Sequence, residues 1–273
     1  MKILVTVKRI PDPDESLKFA GGGLDTSSSK WVPNAFDEYA VETALRLAEI
    51  AGKRGKKLAE VIVMSVCPAK QRQHVTQFLA MGADRGVVVD HNPDELDTIS
   101  ISKAIAGVFK KEKCDLLLIG KLSQDNEGNQ VGQRVAGLLN LPQASFAATV
   151  NWNKDAKMLE VGREVDDGVE IKRLPLPAVV SVDLRVVLPK SVVNNVTPAS
   201  HKYQEGPRLA SLRGITMAKR KKVKVLKLDA LGITNGATER TVAIAAPPAR
   251  AAGQRVGSVD ELFNKLTKEA KVL

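Results

Sequence analysis

The sequence predicts an α/β fold: a three-layer α/β/α, doubly wound parallel sheet, followed by a small antiparallel extension and a C-terminal arm. Three observations predict it. Through the first half, short apolar runs such as residues 3–7 alternate with helix-length amphipathic stretches. Those runs are continuous rather than alternating, as strands covered on both faces require, and helical crossovers between them force parallel pairing. After Pro142 the rhythm changes to short strand-like patterns with turn signals, the mark of antiparallel pairing.

The elements follow in order. Residues 3–7 are the first strand. From Asn34 to about Gly52 the pattern is helical: Val41, Ala44, Leu45 and Ala48 fall at i, i+3, i+4 and i+7, and Asn34 is placed to cap the first turn. Residues 61–66 form the second strand, and 69–81 the second helix, stopped by Gly82. Residues 86–90 and 116–119 are further strands, with helices from Asp97 to about Lys111 and over 131–139. Residues 146–152 and 158–164 read as strands, and the turn Asp166-Asp167-Gly168 leads into 169–174. Residues 178–183 make one more apolar strand. Residues 188–207, rich in Ser, Asn, Pro and Val without a clean period, read as a loop. A strand over 223–228, an extended stretch over 243–255 containing Pro247-Pro248, and an amphipathic helix with Val259, Leu262, Phe263, Leu266 and Ala270 on one stripe complete the chain. Such a tail forms no core alone and is expected to lie on the main domain or on another chain. There is no internal repeat.

Aromatics are 4% of 273 residues, so the core must be built from Val, Leu, Ile and Ala. The formal charge of +10 points to acidic partners. The block Lys219-Arg220-Lys221-Lys222, with Lys224 and Lys227, raises nucleic acid as a reading, but no aromatics interleave it for base stacking, and no nucleic-acid partner is expected. No apolar run approaches the roughly 18–20 residues that span a bilayer, so no transmembrane segment is expected. The N-terminal run is too short for a signal peptide, since Lys8, Arg9 and Asp12 follow at once. Two cysteines, Cys67 and Cys114, make no disulfide framework and suit a reducing compartment.

The search for catalytic groups yields little. His74, His91 and His201 lie in different elements without metal-type spacing and are expected at the surface; no metal site is expected. His-Glu-x-x-His, Cys-x-x-Cys, Gly-x-Ser-x-Gly, Walker A and Gly-x-Gly-x-x-Gly patterns are all absent. Gly21-Gly22-Gly23 reads as a flexible loop, and Cys67 as a packed residue rather than a reactive thiol. One constellation stands out. The strand 116–119 opens into Gly120, a polar loop through Asp125, Gly128, Asn129 and Gln130, and then a helix starting at Val131. A helix N-terminus at a strand's carboxyl end presents free N–H groups to an anion such as phosphate. The bland alternative, that Asn129 or Gln130 merely caps the helix, is equally open at this point. Thr6 at the first strand end, Val66 at the second, and Asn34, Ala35, Phe36 and Asp37 at the first helix should face the same crevice, with room for an adenine. No acid, base or nucleophile is arranged around it, which suggests binding without turnover.

These residues resemble a family. Val7-Lys8-Arg9, Asn34-x-Phe36, Ala80-Met81-Gly82-Ala83-Asp84-Arg85, Gly128-Asn129-Gln130-x-Gly132-Gln133, Leu176-Pro177-Ala178-Val179-Val180 and Met217-Ala218-Lys219-Arg220-Lys221-Lys222 occur in this order. Together, over nearly the whole chain, they look like the beta subunit of electron transfer flavoprotein. The resemblance implies an adenine-nucleotide alpha-hydrolase-like fold and a heterodimer with an alpha subunit that carries most of the FAD. It implies a structural AMP in this subunit, no catalytic residues of its own, and electrons passed from acyl-CoA and related dehydrogenases, as in fatty acid beta-oxidation, to a quinone oxidoreductase. Localisation would be cytoplasmic in a bacterium and the mitochondrial matrix in a eukaryote.

Carried over by position, the AMP site comprises Thr6, Asn34, Ala35, Phe36, Asp37, Val66, Gly120, Asp125, Gly128, Asn129, Gln130 and Val131. The family's partner-recognition loop matches from Pro207, making Leu212 its anchor. Three departures stand out: Val131 replaces a common threonine, Pro13 replaces an aromatic residue near the flavin, and residues 187–204 look like an insertion. The implied divisions are a nucleotide-binding domain over 1–185, a recognition loop with its insertion over 186–222, and an arm over 223–273 packing on the alpha subunit. The other readings weighed are a universal-stress-type nucleotide-binding protein and an electron-bifurcating relative with FAD in place of AMP.

Overall fold

A computed structural model describes residues 1–273 apart from 17, 21, 22, 54, 235, 236, 240 and 251. The first strand, β1 (Lys2–Thr6), has Ile3, Leu4 and Val5 fully buried because helices cover both its faces. Four short strands follow, β2 (Arg9–Pro11), β3 (Phe19–Ala20), β4 (Gly23–Leu24) and β5 (Trp31–Pro33). β2 pairs with β5 and β3 with β4, both antiparallel. The alternation then sets in: α1 (Ala35–Ala48), β6 (Glu60–Val66), α2 (Gln73–Met81), β7 (Arg85–Val89), α3 (Thr98–Glu112), β8 (Leu116–Gly120) and α4 (Val131–Leu139). Three longer strands, β9 (Gln143–Asn153), β10 (Met158–Val165) and β11 (Gly168–Pro175), precede β12 (Ala178–Val182) and β13 (Val192–Val193). The chain continues through α5 (Leu212–Ala218), β14 (Val223–Leu226) and α6 (Val259–Asn264).

The main sheet runs β11-β10-β9-β12-β8-β1-β6-β7-β14, with β13 also on β9. β9, β10 and β11 pair antiparallel, while β9, β12, β8, β1, β6, β7 and β14 form parallel neighbours in that order. The expected mixed architecture is therefore present, with a parallel centre and an antiparallel extension. From β1 the chain moves outward to β6 and β7. It then crosses back to β8 and β12 on the other side, so the order reverses between β1 and β8. Parallel sheets of this kind bind ligands outside the carboxyl ends of the strands at such a reversal.

Two cores sandwich the sheet. On one face α1 and α2 pack Val41, Leu45, Val75 and Phe78 against Ile3, Val5, Val63 and Leu118. On the other, α3 and α4 pack Ile105, Val108 and Val135 against Leu4, Ile62 and Leu117. Alternate residues of each strand feed opposite cores, which is why these strands read as unbroken apolar runs.

Several elements differ from expectation. The helix expected over 69–81 begins with a 3-10 turn, Ala69–Gln71, before α2. The strand expected over 223–228 is β14, which extends the main sheet beside β7, one of the two places open to the tail. Compact packing divides the chain into Met1–Leu17 with Thr26–Thr241, and Lys18–Asp25 with Val242–Leu273. Of the expected glycine loop, Gly21 and Gly22 lie outside the described residues, while Gly23 is in β4. In the second unit α6 runs into a π-helical turn, Lys265–Glu269, and Val259 and Phe263 are exposed. The segment 188–207 is irregular but packed: it holds β13 and the buried Asn194.

Candidate functional site

At the reversal, the carboxyl ends of β1, β6 and β8 open into one crevice with about 150 Å³ of water-accessible space. Thr6, Val7 and Lys8 come from β1 and its exit, Met64, Ser65 and Val66 from β6, and residues 119–123 from β8 and its loop. Ile101 and Ile105 of α3, with Pro93, contribute apolar lining, and Ser123, Asn126, Asn129 and Gln130 contribute polar lining. A concave, largely apolar site with a few polar groups is the form that small-molecule sites take.

The floor is a knot of three elements around Asp37. Its Oδ2 accepts the Lys8 backbone N–H at 2.7 Å. Burial drives its carboxyl up to about 7, opposed by hydrogen bonds from the Lys8 backbone, Asn34 and the Gly120 backbone. A Cβ on Gly120 would meet Asp37 Oδ1 and the Phe36 Cβ, so only glycine lets β8 pass this close to α1. Asn34 stands at the N-cap position of α1 but does not cap it with its side chain. Instead its Nδ2 donates to the Leu122 carbonyl at 2.9 Å and its Oδ1 accepts the Gln124 N–H at 3.1 Å. Gln124 returns the service: its Oε1 accepts the Ala35 N–H at 3.1 Å. The expected cap is thus exchanged between the helix and the β8–α4 loop, and this exchange fixes the loop over the crevice.

The loop's far end presents α4. Glu127 and Asn129 have φ of 51° and 41°, and these left-handed residues turn the chain into the helix. Neither residue expected to cap α4 does so. Asn129 Oδ1 accepts from Gln133 Nε2 at 3.1 Å, and Gln130 Oε1 accepts from Arg134 Nη2 at 2.7 Å. With no side-chain cap, the first-turn N–H groups of α4 and the positive end of its dipole remain for a ligand. Lys8 and Lys121 line the crevice but are already neutralised, by Asp125 at 2.6 Å and Asp183 at 2.6 Å. The charge that an anion would meet is therefore mainly the helix end.

Of the positions singled out in sequence, Thr6, Asn34, Asp37, Val66, Gly120, Gly128, Asn129, Gln130 and Val131 line this crevice. Ala35, Phe36 and Asp125 do not. Ala35 is spent on Gln124, Phe36 sits against Gly120 with Lys121 5.3 Å above its ring, and Asp125 holds Lys8. The apolar wall of Ile101 and Ile105 carries no such signal in the sequence, only a helical period shared with ordinary core residues.

Comparisons with known proteins give the family. The family profile of the electron transfer flavoprotein domain matches residues 22–231. Electron transfer flavoprotein subunit beta of Homo sapiens is 36% identical over 277 aligned residues, covering 100% of this chain and 99% of the relative. The mitochondrial subunit beta of Oryza sativa subsp. indica is 37% identical over 284, covering all of both. That of Dictyostelium discoideum is 34% identical over 275, covering 100% and 99%. The chain belongs to the electron transfer flavoprotein beta-subunit family.

In this electron transfer flavoprotein beta subunit, Leu212 begins α5, is 86% exposed, and follows Ser211, whose side chain accepts the Gly214 N–H at 3.0 Å. The basic block is divided in use: Lys221 Nζ donates to the Leu79 and Ala83 carbonyls at the end of α2, and Lys224 pairs with Glu112 at 3.1 Å. His74, expected at the surface, is buried; Nε2 lies 2.8 Å from Ser65 Oγ and Nδ1 2.9 Å from the Gln71 carbonyl, and burial lowers its pKa. Among the described residues no cluster of His, Cys, Asp or Glu could hold a metal, and no helix is long and apolar enough to cross a membrane.

Proposed function

We propose that this beta subunit holds a structural AMP in the crevice at the β1–β8 reversal and pairs with an alpha subunit that carries most of the FAD. The heterodimer accepts electrons from acyl-CoA and related dehydrogenases and passes them to a quinone oxidoreductase. The single observation that supports the nucleotide is the uncapped N-terminus of α4, with Asn129 and Gln130 both turned to other partners. An α-phosphate there would satisfy first-turn N–H groups that no protein side chain serves. The adenine would lie toward Val66, Ile101 and Ile105, and the backbone at Val66 offers it hydrogen bonds.

The alpha partner comes from the relatives' shared designation as subunit beta. The flavin supplies the electron storage; this chain's part is to hold the nucleotide, shape the heterodimer and meet the donor. Leu212, exposed at the start of α5, is the anchor for a dehydrogenase. An exposed leucine entering an apolar socket is a strong contributor to binding.

Co-expression with the alpha subunit tests this reading. The purified heterodimer should be yellow and should release one AMP per beta chain on heat denaturation, identified by mass spectrometry. Release of FAD in a two-to-one ratio to heterodimer, with no AMP, would instead favour a second flavin in this crevice.

A further inference from the structure

The stretch that precedes Leu212 is fixed from beneath by an ionic cluster that the nucleotide site does not use, buried at Glu42 and Arg46 and half-buried at Arg208 and Glu49. Arg46 of α1 is 1% exposed and pairs with Glu42 at 2.8 Å. Its remaining donors reach the Leu188 carbonyl at 2.9 Å and the Gln204 carbonyl at 2.7 Å, and the Tyr203 ring lies 4.8 Å from its guanidinium. Arg208 forks onto the same helix: Nε donates to Glu42 at 2.6 Å, and Nη1 and Nη2 each donate to Glu49 at 2.8 Å. Two guanidinium groups thus face two carboxylates, so the cluster is neutral and its donors are satisfied. Residues 188–206 close over it. Asn194 Nδ2 donates to the Arg46 and Glu49 carbonyls at the end of α1, at 2.9 and 2.7 Å.

Beyond this anchor the large apolar side chains turn outward. Arg208 points in, Leu209 is 94% exposed, Ala210 packs on the core, and Leu212 is 86% exposed. Two large apolar side chains therefore stand in water on a stretch whose root is pinned by five hydrogen bonds between Arg208 and α1. Around them Arg213, Lys219, Arg220 and Lys222 are exposed and have no acidic partner among the described residues.

We propose that the Glu42–Arg46–Arg208–Glu49 cluster, roofed by residues 188–206, is a buckle that pre-sets Leu209 and Leu212 for an apolar socket rimmed by carboxylates on the dehydrogenase. Arg208 is thereby a positioning residue for electron uptake. The inference rests on the docking reading of Leu212 given above. The physical ground is preorganisation. A loop that is already ordered does not lose its conformational entropy on docking, so affinity rises without any new contact. The guanidinium fork sets two carboxylates at once, which an ammonium cannot do. The insertion-like segment acquires a role by the same argument: it supplies the carbonyls that hold Arg46 in place.

The test uses the complete alpha–beta heterodimer as electron acceptor for an acyl-CoA dehydrogenase. Flavin reduction is followed against heterodimer concentration, together with amide hydrogen exchange over residues 207–212. Arg208→Ala should raise KM for the heterodimer about tenfold, change kcat by less than about twofold, and speed exchange in the loop. Arg208→Lys should recover only part of the loss. Should Arg208→Ala not assemble, Glu49→Gln, which removes half of the fork's seat, should move KM and exchange the same way by a smaller factor. If Leu212→Ala raises KM and the Arg208 and Glu49 variants do not, the buckle is overturned while docking stands. If Leu212→Ala leaves KM unchanged, the docking reading fails and this inference falls with it. Unaltered exchange over 207–212 in Arg208→Ala overturns the positioning role by itself.

Discussion

The carboxylate of Asp37 occupies the space that a side chain on Gly120 would need: a Cβ at position 120 would stand 2.6 Å from Asp37 Oδ1. The same carboxylate receives the Lys8 N–H at 2.7 Å, so α1, β1 and β8 meet at one buried group directly beneath the crevice. Gly120→Ala must push α1 away from the strand end. Overpacking of this kind costs about 2 kcal/mol. The variant should show a lower thermal midpoint and reduced nucleotide content in the heterodimer, since the displaced helix carries Asn34 and with it the loop above the site. An unchanged midpoint would mean that the junction yields freely.

Asp37 also predicts a pH dependence. Its folded-state pKa is raised to about 7 from an ordinary 3.8, chiefly by burial. Between those values the unfolded chain has lost a proton that the folded chain keeps. Stability from this group therefore falls as pH rises from about 4 to about 7, and is level above. Asp37→Asn removes the titration. The difference in thermal midpoint between wild type and variant should decline across that window, and a flat difference would show that Asp37 stays ionised when buried.

The basic block separates into structural and free cations. Lys221 Nζ donates to Leu79 O at 2.9 Å and Ala83 O at 2.5 Å, closing the carbonyl end of α2. A cation there satisfies end carbonyls and complements the helix dipole. Lys221→Ala should cost about 1 kcal/mol in urea denaturation, while Lys219→Ala and Arg220→Ala, both exposed, should change stability by less than about 0.5 kcal/mol. Equal effects at all three would remove the cap.

The parallel half of the fold was legible because its signal is local: unbroken apolar strands and amphipathic helices each declare themselves within a short window. The turn at Asn129 was legible for the same reason, since a strand end, a glycine-bearing loop and a helix start lie consecutively. Contacts made across the chain were not. Nothing around Asn194 announces that its side chain caps α1, 148 residues earlier at Arg46. Asn34 looked like a local cap, yet its partners are Leu122 and Gln124, 88 and 90 residues away. The strand over 223–226 was legible as a strand, but its partner β7 lies more than 130 residues earlier and no short pattern records the pairing. His74 was expected at the surface because its buried partner, Ser65, lies on another element.

Val131 offers the sharpest test of the nucleotide's position. It is the first residue of α4, lines the crevice, and lacks a hydroxyl where a threonine could reach toward a bound phosphate. Its backbone N–H belongs to the uncapped first turn, so a phosphate bound there would lie within reach of an added side-chain donor. A hydrogen bond to a charged group is worth about 1.5–3 kcal/mol, of which the loss of a methyl packed on the core that α3 and α4 share takes back a part. Val131→Thr should therefore slow nucleotide loss from the heterodimer by about tenfold during prolonged dialysis, read by mass spectrometry of the retained ligand. The mirror change, Val131→Ala, removes apolar wall without adding a donor and should hasten loss. If Thr and Ala behave alike, the phosphate does not sit at the first turn of α4, and the anion must be held by Lys8 or Lys121 after displacing Asp125 or Asp183.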